Sequence, residues 1–315
     1  MNDTMKAALY DSFGGPEVLY IGTVPVPEPK ADEVLVQVRA LSVNGGETAA
    51  RSGKYAELFG DNFPQRIGLD LVGVAVKLGD DVTDLAVGDR VWGVLGAASG
   101  FGSAAEFVAV PAERLGIVPE SLGMVEAASL PMGTTAITAL VEKAELIPGE
   151  SLLVRGASGG VGNIAVQLGS AHGAEVTALT GEDTLDFVRE LGAHHAYDFR
   201  TVKLEELGTF DVILDTVGSD VPAFRALLKP GGRMVAIAPD PATGALADTE
   251  ADGNGRLITF MGDPKRAVHD VMAMAVAGDA VRPTVDTVFP LEDIAAAHQA
   301  FSEGRGKGKY VISIG

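Results

Sequence analysis

No cysteine occurs among the 315 residues. Disulfides are excluded, and so is every metal site built on thiolate, catalytic or structural. A cytoplasmic setting agrees with that absence. Basic residues are scarce: 24 Lys and Arg face 43 Asp and Glu, for a net charge of −19. Such a surface repels phosphate backbones and argues against nucleic acid as a partner. Any phosphate-bearing small ligand must therefore find local donors. No run of 18 apolar residues is present, so no membrane-spanning helix and no membrane partner are expected. The opening MNDTMKAALYD lacks the basic, apolar and cleavage series of a secretory signal. Histidine is sparse as well. His172, His194, His195, His269 and His298 form no HxxxH or HxxEH spacing, and they read as surface or satisfied residues rather than metal ligands.

What the chain does have is 47% hydrophobic residues, over a length that suits about two packed domains. To about residue 123 it is strand-rich. KAALY (6–10), EVLVQVRAL (33–41), LVGVAVKL (71–78), DRVWGVL (89–95) and AAEFVAV (104–110) are β-branched or alternating runs punctuated by glycine, proline and acids. A mostly antiparallel or barrel-like β domain is expected there. From 124 the texture changes. SLLVR (151–155), EVTAL (175–179), FDVILD (210–215) and RMVAIA (233–238) alternate with helical segments. Val161, Ile164, Ala165 and Leu168 share one helical face, with Gly173 at the C′ position; DTLDFVREL (183–191) repeats the pattern before Gly192. This alternation predicts an α/β, doubly wound parallel sheet. RLITFMG (256–262) is its expected last strand, and RPTVDTVFP, EDIAAAHQAFSEG and KYVISI form a mixed tail.

The stretch LLVRGASGGVG (152–162) runs from strand to helix through four glycines. A helix N-terminus offers free N–H groups and a positive dipole end to an anion, and bulk at the glycines would keep a pyrophosphate from the backbone. In the dinucleotide register G-x-G-x-x-G the chain has Ala157, Gly159 and Gly162, so the first position departs from the motif.

GASGGVG resembles the cofactor loop of the medium-chain dehydrogenase/reductase superfamily, in its zinc-independent quinone oxidoreductase (zeta-crystallin-like) branch. SVNGGETAARSGKY (42–55), VGDRVWG (87–93), AASLPMGTTAITAL (127–140), FDVILDTVG (210–218), LLKPGGRMVAIA (227–238) and GKGKYVISI (306–314) are similar to further landmarks of that branch, in the same order. The resemblance implies a Rossmann-type domain, 124–262, inserted into a β-rich, barrel-like (GroES-like) catalytic domain made of 1–123 and 263–315. It places Asn44 and Leu69 where zinc-dependent relatives carry metal ligands, so no metal is expected.

Without a Lewis acid, quinones and conjugated enones are the tractable hydride acceptors, because charge spreads through their π systems. The resemblance implies NADPH as cofactor, with NADH as the alternative, and a quinone or enone as substrate. Asn44 is the candidate oxyanion donor at the cleft, or else a turn residue before Gly45-Gly46. Tyr55 is a candidate proton donor or stacking group, or else packing. Cofactor contacts are expected from Asn44, Thr135, Ser158, Gly159, Gly160, Val161, Gly162, Thr180, Arg200, Val217, Ile237 and Ala238. Thr135 has helix capping as its alternative role. Glu182 lies about 20 residues past the glycines, the distance at which an acid meets the ribose of NAD. Arg200 and Thr180 favour a 2′-phosphate. Asp70 reads as structural, and Ala49 as a sign of a roomy substrate pocket. A homodimer is expected through the sheet edge at 256–262. The competing reading is a catalytically weak nicotinamide-binding sensor or structural protein.

Overall fold

The computed structural model describes residues 3–96, 101–237, 248–249, 255–304 and 306–315. Two compact units emerge: Met1–Met132 with Asp263–Met274 and Pro283–Gly315, and Gly133–Gly262 with Ala275–Arg282.

In chain order the first unit starts with β1 (Thr4–Tyr10), β2 (Leu19–Pro25), β3 (Glu33–Ser42), β4 (Gln65–Arg66), β5 (Asp70–Leu78), β6 (Arg90–Val94), β7 (Phe107–Pro111) and β8 (Leu115–Ile117). The second unit holds β9 (Ser151–Arg155), β10 (Glu175–Thr180), β11 (His195–Asp198), β12 (Phe210–Asp215), β13 (Leu228–Ala236), β14 (Asp248–Thr249) and β15 (Arg256–Thr259). The chain then returns to the first unit with β16 (Val285–Pro290) and β17 (Lys309–Ser313).

The first unit has a sheet β2-β1-β4 and a sheet β16-β17-β3-β5-β6-β8, with β7 also pairing β3. All pairings are antiparallel except β16 with β17. β3 carries apolar residues on both faces because β17, β5 and β7 all pair with it. Val36, Leu41, Leu71, Leu115 and Ile312 belong to its core. The unit extends past residue 123 because the short helix Met124–Ala127 packs on β3 and β5. β2 and β8 are strands that the alternation pattern does not single out.

Register fixes a local geometry. β17 pairs β3 antiparallel with Val311 opposite Ser42, so Lys309, two residues back, comes level with Asn44. β5 pairs the other edge of β3 with Val72 opposite Ala40, which brings Asp70 level with Ser42. Three segments distant in sequence therefore put a lysine, an asparagine and an aspartate together.

The second unit is a sheet ordered β11-β10-β9-β12-β13-β15-β14. It is parallel throughout except for β14, which pairs β15 antiparallel. Its central strands are continuous apolar runs, as expected when helices cover both faces; Leu152, Leu153, Val154, Ile213 and Val235 are fully buried. The helix Gly162–Ala171 follows β9 and ends before Gly173, whose φ is +85°. Arg282 N–H donates to Gln167 Oε1 at 2.9 Å, which ties 275–282 to this unit. RLITFMG forms a strand only over Arg256–Thr259, and the outermost strand is the two-residue β14. Among the described residues one helical stretch, Met124–Lys143, is apolar and long enough to cross a membrane by length and composition, and it is 67% buried within the protein.

Candidate functional site

In the second unit the strand order reverses around β9, and the carboxyl ends of β9, β10, β12 and β13 lead into the loops that hold the expected cofactor residues. A parallel sheet binds ligands at such a switch point. The glycine loop follows Arg155. Gly156 has φ +71°, and a Cβ there would collide with the Thr216 hydroxyl; a Cβ on Gly162 would collide with the carbonyl oxygen of Gly156. Gly156 lets the loop after β12 come close, and Gly162 lets the helix start pack on the backbone of the glycine loop. Gly159 differs, since a Cβ there would meet only the Gly156 oxygen, at 3.3 Å. Asn163 Nδ2 donates to the carbonyls of Gly159 (2.8 Å) and Gly160 (3.1 Å). The N–H groups of Gly156 and Ala157 donate to the Leu179 carbonyl and that of Gly159 to the Gly156 carbonyl, so the anion-facing part of the loop is its last turn into the helix. Ser158, Gly159, Gly160 and Val161 are partly exposed, and Gly162 opens a ten-residue helix.

Val217 projects from the end of β12 with 57% of its surface exposed, and Ile237 follows β13, its N–H donating to the Asp215 carbonyl at 3.1 Å. Ala238 lies outside the described residues. Thr135 lies within the helical turn Thr134–Ile137, 6% exposed, and its Oγ1 has no partner, so it does not cap that helix. A buried hydroxyl without a partner is the kind of group that a ligand satisfies. The unbonded Thr135 hydroxyl and the uncrowded Gly159 loop fit a dinucleotide, for which the glycine loop would take the phosphates.

Thr180 is buried, and its hydroxyl lies 2.7 Å from that of Thr184, which itself donates to the Gly181 carbonyl. With the Thr184 proton on Gly181, the Thr180 proton points to Thr184 rather than into solvent. Arg200 is exposed, its guanidinium 4.6 Å over the Phe199 ring and 3.2 Å from where a Gly181 Cβ would be. Glu182 lines an open cavity of about 350 Å³ together with Tyr197, Asp198 and Thr201.

In the first unit Asn44 is the N-cap of the helix Gly45–Arg51, and its N–H donates to Glu47 Oε1 at 3.0 Å. The turn role and the buried site thus coincide in one residue. Its Nδ2 donates to the Ser42 carbonyl at 2.8 Å, and its Oδ1 accepts from Lys309 Nζ. A carbonyl only accepts and an ammonium only donates, so Ser42 and Lys309 agree on which end of the amide is which. Lys309 also donates to the Val43 carbonyl at 3.1 Å. Asp70 accepts from the Ser42 N–H at 2.7 Å and from the Ser42 hydroxyl. Burial pushes the Lys309 ammonium down and the Asp70 carboxyl up, while each charge pulls the other back. The Asn44 amide is one of the groups that favour ionised Asp70. Asn44 is only 4% exposed, so its amide is turned into this network rather than held open.

Glu47 is fully buried, and desolvation, with Asp70 nearby, pushes it up to about 8. His298 Nε2 lies 3.8 Å from Glu47 Oε1, and burial holds that imidazole down at about 3. Near neutrality the pair is an uncharged contact rather than a salt bridge. Tyr55 is half-buried, with Lys54 Nζ 5.8 Å from its ring centroid, and it precedes the short helix Ala56–Phe59. Ala49 is half-buried on the Gly45–Arg51 helix. A Leu69 methyl lies 3.7 Å from where a Gly46 Cβ would be, so the position is apolar and has no metal-binding atom. Lys309 is the member of this site that motif reading does not reach. The signal available was a lone lysine opening an apolar strand.

Residues 191–312 match the family described as zinc-binding dehydrogenase, and residues 30–120 match the alcohol dehydrogenase GroES-like domain. The zinc of the first description has no thiolate here, since cysteine is absent. The chain is 32% identical to the NADPH-dependent alkenal/one oxidoreductase of Arabidopsis thaliana, over 98% of this chain and 79% of that protein. It is 30% identical to the quinone oxidoreductase of Homo sapiens, over 98% of both. The solved quinone oxidoreductase of Coxiella burnetii superposes with a TM-score of 0.91 at 27% identity, covering 99% of this chain and all of that one. The chain belongs to the medium-chain dehydrogenase/reductase superfamily, in its zinc-independent quinone oxidoreductase branch.

Proposed function

We propose that the protein is an NADPH-dependent oxidoreductase that passes hydride to a quinone or a conjugated enone without a metal. The observation that carries this reading is the strand-end site of the second unit: a partly exposed glycine loop that leads into a helix N-terminus, and a buried Thr135 hydroxyl without a partner. The family adds the chemistry, since relatives are named as quinone and alkenal/one oxidoreductases. NADPH, when bound, supplies the hydride. This chain's residues seat the phosphates on the glycine loop, engage the ribose through Thr135, and answer charge growing on the acceptor oxygen through Asn44 or Tyr55. Preference for NADPH over NADH rests on Arg200, the exposed cation beside Gly181; Glu182 works against it, so the preference is modest. Titration followed by nicotinamide fluorescence tests the cofactor reading. Saturable binding of NADPH, tighter than NADH, is expected; binding of neither overturns it.

The edge of the second unit's sheet supports a homodimer. Among the described residues β14 ends the sheet, paired with Leu257 and Ile258 of β15, and a sheet edge is a surface on which a second copy adds strands across a two-fold axis. Light scattering at micromolar concentration is expected to give twice the chain mass of 32.4 kDa; a monomer contradicts the dimer.

A further inference from the structure

Arg155 and Asp215 end neighbouring parallel strands, β9 and β12, in direct register. Their side chains are 5% and 0% exposed, and Arg155 Nη1 lies 2.9 Å from Asp215 Oδ2. Neither the sequence motifs nor the proposed chemistry uses this pair. A buried pair of this kind gives little net stability, because the lost hydration offsets the attraction. Its contacts show what it does instead.

Each partner holds the same loop. Arg155 donates to the Ser219 carbonyl from Nη1 at 2.7 Å and to the Ser219 hydroxyl from Nη2 at 3.3 Å. Its guanidinium lies 3.5 Å from the centroid of the Phe224 ring. Asp215 Oδ1 accepts from the N–H groups of Val217 at 2.9 Å and Gly218 at 3.1 Å. Between them, the Thr216 hydroxyl donates to the Arg155 carbonyl at 2.7 Å. Residues 216–219 are therefore fastened at four successive positions, Thr216 and Ser219 to Arg155 at the root of the glycine loop and Val217 and Gly218 to Asp215 at the end of β12. What this clamp leaves outside is the Val217 side chain, 57% exposed and 3.2 Å from where a Gly156 Cβ would be.

We infer that Arg155 and Asp215 are positioning residues for the dinucleotide: together they set the separation between the glycine loop and the Val217 surface, and so the seat that the cofactor occupies. The inference rests on the proposal that the second unit binds NADPH. Lysine cannot replace the arginine here, since a point charge cannot span Ser219 and Asp215 while stacking on Phe224.

The test compares Arg155→Lys, Arg155→Met, and Arg155→Met with Asp215→Asn. The double variant removes both charges and keeps an acceptor for the Val217 and Gly218 amides, so it folds even where the single Met variant, with an unpaired buried carboxylate, does not. Three quantities are read: the NADPH dissociation constant by nicotinamide fluorescence, kcat with a quinone at saturating NADPH, and Tm. Val217→Ala is measured alongside. For the folded variants the NADPH dissociation constant is expected to rise roughly ten- to a hundredfold, because the seat is no longer preorganised for the cofactor. The kcat at saturation is expected to stay within about twofold, since the reacting groups are untouched. Val217→Ala is expected to weaken NADPH in the same direction and to leave Tm unchanged. A lowered Tm with unchanged NADPH affinity in the Arg155 variants overturns the inference and makes the pair purely structural. Wild-type protein that binds neither NADPH nor NADH overturns the dinucleotide reading itself, and the inference with it; wild-type binding with unaltered variants overturns the inference alone.

Discussion

Gly162 opens the helix after β9 directly against the carbonyl oxygen of Gly156, with no space for a Cβ between them. A glycine motif is usually read as room for a ligand, yet this pair makes room for the chain itself. Gly162→Ala is therefore expected to destabilise the fold by several kcal/mol through backbone displacement, seen as a large loss of Tm. Gly159→Ala meets one oxygen at 3.3 Å and is expected to keep Tm within a few degrees while weakening NADPH roughly tenfold. Equal Tm losses in the two variants would refute this division of roles.

Asn44 is held at both ends of its amide, by Lys309 and by Ser42. If Asn44 answers charge on the acceptor oxygen, Asn44→Ala lowers kcat by about a hundredfold and leaves the NADPH dissociation constant unchanged. Asn44→Asp is expected to be worse, because it places a carboxylate beside Asp70 and the arriving charge. A loss of Tm with kcat intact would make Asn44 the pin of the Lys309–Asp70 network and pass the oxyanion role to Tyr55. A loss confined to NADPH binding would make it a cofactor contact.

Glu47 makes stability depend on pH with a definite sign. Its carboxyl is raised from 4.5 to about 8 in the folded protein, so the folded state holds the proton more tightly than the unfolded chain. Its contribution is fully present below about pH 4.5 and is lost as pH rises toward 8. His298 and His269 act oppositely: burial lowers them to about 3 and about 4, so stability falls as pH drops below 6.5 toward those values. Tm is expected to be greatest in weak acid and to decline between pH 6.5 and 8. Glu47→Gln, which cannot ionise, is expected to flatten that alkaline decline; an unaltered slope would show that Glu47 is not its source.

Arg200 is an exposed cation beside Gly181 on a strongly acidic chain, and the proposed NADPH preference rests on it. Arg200→Ala is expected to lower the NADPH-to-NADH ratio of kcat/KM by roughly tenfold, the worth of one charge-assisted hydrogen bond. Asp183→Lys is expected to raise it. Ratios unmoved by both variants would place the specificity determinant elsewhere.

Much of this was legible beforehand, for identifiable reasons. The strands β9, β10 and β12 are continuous apolar runs, and their helices end at Gly173 and Gly192, so periodicity and punctuation sufficed. β2, with LYIGTVP, has only its first residue buried, so little alternation marked it. β13 starts at Leu228 rather than Arg233, because the Pro230-Gly231-Gly232 sequence looks like a break but is taken up in an irregular register with β12. The site divided in the same way. The strand–glycine–helix turn is local in sequence, whereas Lys309 comes level with Asn44 only through strand register between the chain's two ends. The contact between Thr180 and Thr184 is likewise a matter of tertiary placement.

The central claim is metal-free hydride transfer from NADPH to a conjugated acceptor. It is tested most directly by following absorbance at 340 nm after exhaustive chelation, with NADPH and a panel of quinones, enones, simple ketones and aldehydes. The expected result is steady NADPH oxidation with at least one quinone or enone, undiminished by chelation and weak or absent with simple ketones. No oxidation with any quinone or enone, or activity that vanishes on chelation and returns with zinc, would contradict the account.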